Sequence, residues 1–134
     1  MLPSIYNSDQ PFTLGLLGGG QLAKMTAQEV YRMGMKVAII ENGEDSPAGR
    51  MTKLDYPGGW DDAESLEAFI KASDIITLEN EFIDPDILDR IAERRLVFPT
   101  PDTMRLVQDK FIQKETFSKI GIKTPAYAAI EIKQ

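Results

Sequence analysis

Short continuous runs of apolar residues alternate along the chain with longer segments in which apolar residues recur at helical spacing. The continuous runs are typical of parallel strands covered on both faces. They lie at residues 13–17, 36–40, 74–78 and 96–98, and a further short strand is expected within 54–56. This alternation predicts an α/β fold: a Rossmann-like, three-layer domain with a mostly parallel sheet.

The helical segments carry clear start and stop signals. The first follows a run of glycines, carries Leu22, Met25, Val30 and Met33 near helical spacing, and should stop at Gly34, with Met25 and Met33 expected to fill the core. Asp61 or Asp62 is expected to cap the second helix. The third should begin at Asp84-Pro85 by the favoured pairing of an Asp cap with proline. Its last turn is expected to contain Arg94 and Arg95, where cations complement the helix dipole.

The chain divides into three predicted parts. Residues 1–12 are a polar lead-in, and residues 13–100 complete the Rossmann-like domain. Residues 101–134 contain a helix over 108–120, expected to face inward with Phe111, Ile112, Phe117 and Ile120, and an extended tail. Because these elements follow a complete α/β unit, we expect them to lead into another domain that this sequence lacks.

Composition narrows the possible functions. The 134 residues suffice for one domain with a proper core. The net charge of −6, without a basic block, argues against nucleic acid as the main partner. Without cysteine or histidine, thiolate chemistry and the commonest metal ligand are excluded, and we expect no metal site and no catalytic residue in this chain. The sequence has no run of membrane-spanning length and no signal-peptide pattern, so a cytoplasmic protein is expected.

The glycine turn between the first strand and the first helix is the leading candidate site. Gly18, Gly20 and Ala23 fit the pattern G-x-G-x-x-(G/A), which lets backbone approach a ligand closely and aims helix N–H groups at negative charge. Three interpretations stay open: a dinucleotide pyrophosphate, another anionic or polar ligand, or a tight turn that only packs helix on strand. A Cβ at Gly20 is expected to block the ligand and to disfavour a positive φ. Glu41, about twenty residues on, would hold a ribose under the first interpretation and is a solvated strand end otherwise.

Charged residues elsewhere supply further candidates. Glu79 follows the strand at 74–78, at the edge where α/β sheets bind ligands, and we favour a ligand-binding role for it. Glu81 would share its face if the strand continued, but a solvated loop is the favoured interpretation there. Lys110 and Lys114 lie one helical turn apart and either face a phosphate or form a solvated helix face.

Several motifs occur in an ordered series. They are Gly18-Gly19-Gly20-Gln21-Leu22, Asp45-Ser46-Pro47-Ala48, Thr77-Leu78-Glu79-Asn80-Glu81, the segment from Gln108 to Lys114, and Gly121-Ile122-Lys123-Thr124-Pro125. Over roughly residues 13–130 this series resembles the N-terminal, pre-ATP-grasp domain of the 5-(carboxyamino)imidazole ribonucleotide synthetases. Those enzymes are the ATPase subunits of phosphoribosylaminoimidazole carboxylase and belong to the ATP-grasp superfamily.

The resemblance implies a reaction in purine biosynthesis. ATP, with Mg²⁺ bridging its phosphates, activates bicarbonate as carboxyphosphate, and the amine of aminoimidazole ribonucleotide is carboxylated. It also implies that the glycine turn (Gly18, Gly19 and Gly20), together with Gln21, Leu22 and Glu79, lines the ribonucleotide side of the site. Lys110 matches a position, usually Arg, that contacts ATP. The partners expected from the resemblance are the ribonucleotide, bicarbonate and ATP, and a homodimer is compatible with it.

The resemblance has limits. The ATP-grasp lobes are absent from this sequence, so we expect this chain alone to be inactive and to hold no cofactor. The family usually reads Glu-Phe-Glu-Asn or Glu-Ile-Glu-His where this chain has Glu79-Asn80-Glu81-Phe82. Two alternatives stay open. One is the N-terminal domain of a formate-dependent glycinamide ribonucleotide transformylase, which usually carries Glu where this chain has Gln21. The other is a stand-alone NAD-binding or regulatory module.

Overall fold

A computed structural model describes residues 11–130, and these residues form a five-stranded sheet with helices on both faces. The strands are β1 (Thr13–Leu17), β2 (Lys36–Ile40), β3 (Asp55–Tyr56), β4 (Ile75–Leu78) and β5 (Leu96–Phe98). The helices are α1 (Gln21–Arg32), α2 (Ala63–Ala72), α3 (Pro85–Ala92), α4 (Pro101–Val107) and α5 (Lys110–Lys119), with a 3₁₀ turn at Gly49–Met51. The predicted polar lead-in at 1–12 lies almost entirely outside the described residues.

The strand order is β3-β2-β1-β4-β5, and every pairing between the described strands is parallel. The central strand β1 pairs along its whole length with β2, from Thr13 opposite Lys36 to Leu17 opposite Ile40. On its other side Leu17 lies opposite Leu78 of β4. The predicted α/β class and the parallel sheet are therefore confirmed, and the short strand expected within 54–56 is β3.

Two apolar layers enclose the sheet. Successive residues of a strand point to opposite faces. Leu17 and Ile40 accordingly pack with Phe69 of α2 and Leu88 of α3 in one layer. The neighbouring residues Leu16 and Ile39 pack in the other layer against α1, through Ala23, Ala27 and Val30. This double covering explains why the strands read as continuous apolar runs.

Helix starts follow the predicted capping chemistry. The Asp62 carboxylate accepts the Ser65 N–H at 2.7 Å and caps α2, which decides between the two aspartates proposed. Asp84 caps α3 with Pro85 in its first turn, and Thr100 caps α4 with Pro101 placed in the same way. Short polar side chains thus satisfy backbone N–H groups at each of these starts.

The expectation that Met25 in α1 and Met33 at its C-cap fill the core is wrong. Leu22, Met25 and Met33 are exposed, and Val30 alone of the four is buried. The helix instead buries Ala23 and Ala27, which are completely or almost completely inaccessible. Small alanines let the helix axis approach the sheet closely, so the larger apolar side chains lie beside the contact and not in it.

The end of α3 also differs from the prediction. The helix ends at Ala92, so Arg94 and Arg95 lie beyond it and not in its last turn. The Arg94 guanidinium pairs with Glu67 of α2, and Arg95 Nε donates to the Ser73 carbonyl oxygen at 2.8 Å. Both arginines tie α2 to the segment before β5, which is a different role from dipole compensation.

The inward orientation predicted for the last helix is wrong. None of the residues of α5 is buried, and Phe111, Ile112, Phe117 and Ile120 are all exposed. The helix packs on α4, and an edge-to-face contact joins the Phe111 ring to Tyr127 of the extended tail, with ring centroids 5.7 Å apart. Its periodicity therefore marks an apolar face that stays largely exposed in residues 11–130, apart from the contact of Phe111 with Tyr127.

Candidate functional site

The candidate site lies where the strand order reverses. From β1 the chain moves outward on one side through β2 and β3, then crosses to the other side for β4 and β5. In parallel α/β sheets, ligands bind beyond the carboxyl ends of the strands at such a switch point. The residues at those ends are Gly18 after β1, Glu41 after β2 and Glu79 after β4.

The glycine turn is fixed to the ends of β1's two neighbours. The Gly18 N–H donates to the Ile40 carbonyl oxygen at 2.9 Å, and the Glu79 N–H donates to the Leu17 carbonyl oxygen at 2.9 Å. Gly18 has a φ of 102°, which L side chains rarely adopt. Gly20 has a φ of −75°, so the expectation that a side chain there would oppose a positive φ is wrong. The turn therefore needs glycine at positions 18 and 20 for different reasons.

Glu79 closes the turn from the neighbouring strand. Its Oε2 accepts the Gly20 N–H at 2.7 Å. A Cβ at Gly20 would overlap this carboxylate, and a Cβ at Gly18 would lie 2.7 Å from Oε2. The two glycines therefore make room for a side chain of the protein itself. What a Cβ at Gly20 would meet in this structure is Glu79, and the expectation that it would also block a ligand stays a prediction.

Glu41 holds the preceding residue of the same turn. Its Oε2 accepts the Gly19 N–H at 2.9 Å, and its Oε1 accepts the Asn42 N–H at 2.7 Å. Because both carboxylate oxygens accept backbone N–H groups and the residue is half-buried, Glu41 is more than the solvated strand end that the sequence allowed. Each oxygen keeps further acceptor capacity, so the ribose-binding interpretation stays a prediction. Its position at the end of β2 was the only signal in the sequence.

The loop at 42–48 packs against the turn from the β2 side. The Ala48 N–H donates to the Gly19 carbonyl oxygen at 2.8 Å, and buried Ser46 accepts the Gly49 N–H through its hydroxyl at 3.0 Å. Asp45, at a φ of 63°, pairs with Arg50 at 2.6 Å, and this guanidinium holds the pKa of the Asp45 carboxyl below its usual range. The Asp45-Ser46-Pro47-Ala48 motif therefore shapes the wall of the turn.

The other candidate site residues follow the glycine turn in the sequence. Gln21 and Leu22 begin α1 directly after the turn, with exposed side chains, 58 % in the case of Leu22. Because β4 ends at Leu78, Glu81 does not continue the strand and lies exposed in the following turn. Lys110 begins α5 and is exposed. Lys114 lies 5.5 Å from the centroid of the Tyr127 ring.

Gln108 is a residue whose role the sequence did not reveal. Its side-chain amide donates to the carbonyl oxygens of Glu81 and Ile83, at 2.6 and 2.5 Å. It thereby joins the loop that follows Glu79 to the junction between α4 and α5, two positions before Lys110. Gln108 begins one of the motifs that carry the family resemblance. Its role in joining the loop to α4 becomes visible only in the folded chain.

The chemistry of the site follows from these contacts. Two carboxylates accept the successive N–H groups of Gly19 and Gly20, the type of group that usually binds a phosphate at such turns. A pyrophosphate would have to displace both and approach two negative charges. The arrangement instead favours a ligand that donates hydrogen bonds, such as a hydroxyl or an amine. Within residues 11–130, no group of three or more metal-ligating side chains is placed to hold a metal ion.

Comparison with known protein families assigns this chain to one of them. Residues 12–108 match the family model described as the ribonucleotide synthetase preATP-grasp domain. The chain belongs to this family. Its matched segment includes the five strands, the glycine turn and the residues Glu41 and Glu79.

The relatives of this preATP-grasp domain carry two enzyme names, phosphoribosylaminoimidazole carboxylase and N5-carboxyaminoimidazole ribonucleotide synthase. The chain is 34 % identical over 123 residues to a phosphoribosylaminoimidazole carboxylase of Ogataea methanolica, covering 89 % of this chain and 23 % of that protein. It is 33 % identical over 119 residues to an N5-carboxyaminoimidazole ribonucleotide synthase of Brucella melitensis, covering 89 % and 33 %. The chain therefore spans about a third or less of the length of these relatives.

Solved structures place the preATP-grasp domain in the same group. The synthetase of Thermotoga maritima superimposes with a TM-score of 0.79 at 36 % identity, covering 90 % of this chain and 34 % of that one. The Aspergillus clavatus enzyme, solved with ADP and 5-aminoimidazole ribonucleotide, gives 0.75 at 30 % identity, covering 84 % and 30 %. These relatives favour the carboxylating enzymes over the transformylase and the NAD-binding module.

In the described part of the chain, no helix has the length and apolar character needed to cross a membrane.

Proposed function

We propose that this chain supplies the ribonucleotide-binding part of an ATP-dependent ligase that carboxylates 5-aminoimidazole ribonucleotide in purine biosynthesis. The observation that carries the proposal is the position of the Glu79 carboxylate, which accepts a hydrogen bond from the Gly20 N–H at the switch point of the sheet. The names of the relatives and the ribonucleotide in the Aspergillus clavatus structure support the choice of substrate.

Glu79 is the residue that we assign to the substrate. Its Oε2 accepts the Gly20 N–H, so Oε1 is the oxygen that can accept a hydrogen bond from a ribose hydroxyl or from the amine. A carboxylate held by backbone in this way does not have to be ordered when the ligand arrives, which lowers the cost of binding. The Gly18, Gly19 and Gly20 backbone forms the floor of this half-site, and Gln21 and Leu22 form its rim.

The remaining reactants belong to the same proposal. ATP would supply the phosphoryl group that activates bicarbonate, and Lys110 at the start of α5 is the residue of this chain assigned to it. Mg²⁺ would bridge the ATP phosphates. Lys110 has no hydrogen bond or ion pair with the turn among residues 11–130, so this chain is expected to bind ribonucleotide independently of ATP.

Direct titration tests the ligand assignment. ¹⁵N-labelled chain is titrated with 5-aminoimidazole ribonucleotide and, separately, with NAD⁺, and the amide resonances are followed. We expect the ribonucleotide to shift the Gly20, Gln21 and Leu22 amides in a saturable way and NAD⁺ to leave them unchanged. Ribose 5-phosphate is the control that separates recognition of the sugar from recognition of the imidazole amine.

Two outcomes would overturn the assignment. Saturable shifts of the glycine turn with NAD⁺ and none with the ribonucleotide would identify a dinucleotide module. Ribonucleotide shifts confined to residues far from the turn would place the ligand elsewhere. The chain alone is also expected to release no phosphate from ATP when the ribonucleotide and bicarbonate are added, and release above that of a Glu79→Gln preparation would contradict this.

A further inference from the structure

We propose that Glu41 is a positioning residue of this site, acting on the ligand only through the glycine turn. The proposal rests on the assignment of the ribonucleotide to that turn. Glu41 directly follows β2, on the opposite side of β1 from Glu79, and its carboxylate accepts two backbone N–H groups.

The contacts of Glu41 show how it positions the turn. Oε2 accepts the Gly19 N–H at 2.9 Å, and the Gly20 N–H next to it is accepted by Glu79 at 2.7 Å. Two consecutive peptide groups are thus oriented by carboxylates from the strands on either side of β1. The peptide that carries the Gly19 N–H and the peptide that carries the Gly20 N–H are joined at the Gly19 Cα, so Glu41 orients the first of them while Glu79 and the Ala48 N–H hold the second.

Gly19 is also contacted by the loop at 42–48. Its carbonyl oxygen accepts the Ala48 N–H at 2.8 Å, while a Cβ on Gly19 would overlap the Ser46 hydroxyl and lie 3.2 Å from the Glu41 Cβ. Backbone, serine and glutamate therefore pack against buried Gly19 and leave no room for a side chain there. Glu41 accordingly acts beneath the binding surface, whereas Glu79 forms part of it.

Glu41 also contributes to ligand selection. The Glu41 carboxylate accepts the Gly19 N–H, and the Glu79 carboxylate accepts the Gly20 N–H. Two carboxylates of the protein therefore occupy the N–H groups that would otherwise bind a phosphate. The phosphate of the ribonucleotide is therefore expected to point away from Gly19 and Gly20. Inorganic pyrophosphate is the probe for this part of the inference.

Amide hydrogen exchange and ligand titration of the whole chain test the role together. Glu41→Ala removes the acceptor, Glu41→Gln keeps one, and Glu44→Ala removes an exposed glutamate from the same loop as the matched control. We expect Glu41→Ala to speed exchange of the Gly19 amide by about tenfold or more and to weaken ribonucleotide binding by about tenfold. Glu41→Gln should restore most of both, and Glu44→Ala should change neither. Pyrophosphate should shift the Gly19 amide in Glu41→Ala and not in the wild type.

The outcomes separate this inference from the proposed function. If Glu41→Ala leaves Gly19 exchange unchanged in a folded protein, Glu41 does not hold the turn and the inference is wrong. If it weakens the ribonucleotide while the turn resonances stay in place, Glu41 touches the ligand and a positioning role is excluded. If the wild type does not bind the ribonucleotide, the proposed function fails, while the Gly19 exchange data still decide whether Glu41 holds the turn.

Discussion

The Glu79 carboxylate accepts the Gly20 N–H at 2.7 Å, although 59 positions separate the two residues. Gly20 is the N-cap of α1, has no side chain to cap it, and is followed by a first turn without an acidic residue. In a capping box, a glutamate in the first turn of the helix would bond the N-cap N–H. Here a neighbouring strand supplies that carboxylate, so the cap of α1 and the candidate ligand acceptor are one group.

Replacement of Glu79 is expected to affect the ligand more than the fold. Glu79→Gln keeps an oxygen for the Gly20 N–H but removes the charge that a ligand donor would meet. Loss of a hydrogen bond to a charged group costs about 1.5–3 kcal/mol, so ribonucleotide affinity measured by NMR titration should fall by about ten- to hundredfold. Glu81→Gln, at an exposed position two residues on, is the control. Equal and small effects of the two substitutions would show that the substrate is not held at the end of β4.

Alanine at Gly20 is expected to lower ligand affinity, whereas alanine at Gly34 is expected to lower stability. At Gly20 the φ of −75° accepts a side chain, but a Cβ would overlap the Glu79 carboxylate and force it to move. At Gly34 the φ is 77° and a Cβ would meet nothing within 4 Å. Gly34→Ala should therefore cost about 1–2 kcal/mol of stability with unchanged ligand affinity. Gly20→Ala should lower ribonucleotide affinity by about tenfold. Urea unfolding and ligand titration of both variants measure the contrast, and unchanged affinity in Gly20→Ala would contradict it.

The sheet and the glycine turn could be predicted from local sequence, because each depends on residues that are neighbours in the chain. Continuous apolar runs identify buried parallel strands, and three successive glycines identify a turn that side chains would obstruct. The contacts of Glu41 and Glu79 with adjacent amides could not be predicted. They depend on β2 and β4 ending beside the end of β1, and strand order and register are properties of the whole fold.

The last helix shows a second limit of sequence patterns. The spacing of Phe111, Ile112 and Phe117 correctly indicated a helix, but periodicity shows only that one face is apolar. It does not identify what covers that face. Similarly, the alanines of α1 gave a weak hydrophobic signal, although they are buried against the sheet, because close packing depends on side-chain size as well as on polarity.

Substitutions in α3 and just beyond α5 test whether the apolar face of α5 belongs to the core of this chain. Ile120 is 67 % exposed at the end of α5, while Ile91 of α3 is completely buried. Ile120→Ser is expected to change the free energy of unfolding by less than about 0.5 kcal/mol. Ile91→Ala should cost about 2–5 kcal/mol, since it leaves a cavity beneath the sheet. Urea unfolding of the whole chain measures both, and a large loss in Ile120→Ser would mean that this face is packed after all.

Asp55 is expected to make stability fall as pH rises. It begins β3, and burial raises the pKa of its carboxyl from the ordinary value of 3.8. The folded chain therefore binds this proton more tightly than the unfolded chain does. The contribution of Asp55 to stability is most favourable below the ordinary pKa and is lost as pH rises through the folded pKa. Asp55→Asn, which cannot ionise, should raise the melting temperature at pH 7 and leave it nearly unchanged at pH 3. Exposed Asp61→Asn is the control, and a lower melting temperature at pH 7 in Asp55→Asn would contradict the assignment.

Gln108 is expected to keep the loop after β4 in place by donating to two carbonyl oxygens. Its side-chain nitrogen lies 2.6 Å from the Glu81 oxygen and 2.5 Å from the Ile83 oxygen. Gln108→Glu replaces this donor by a carboxylate that faces two acceptors, so we expect a loss of about 1–3 kcal/mol in the free energy of unfolding. Gln108→Ala should cost less, because it removes the donor without placing a negative charge against the two carbonyl oxygens. Gln28→Glu, on the exposed face of α1, adds the same charge where no such contact exists and should be nearly neutral. If Gln108→Glu is as harmless as Gln28→Glu, and the Glu79 to Ile83 amides exchange no faster, the loop is held by other contacts and Gln108 has no part in positioning it.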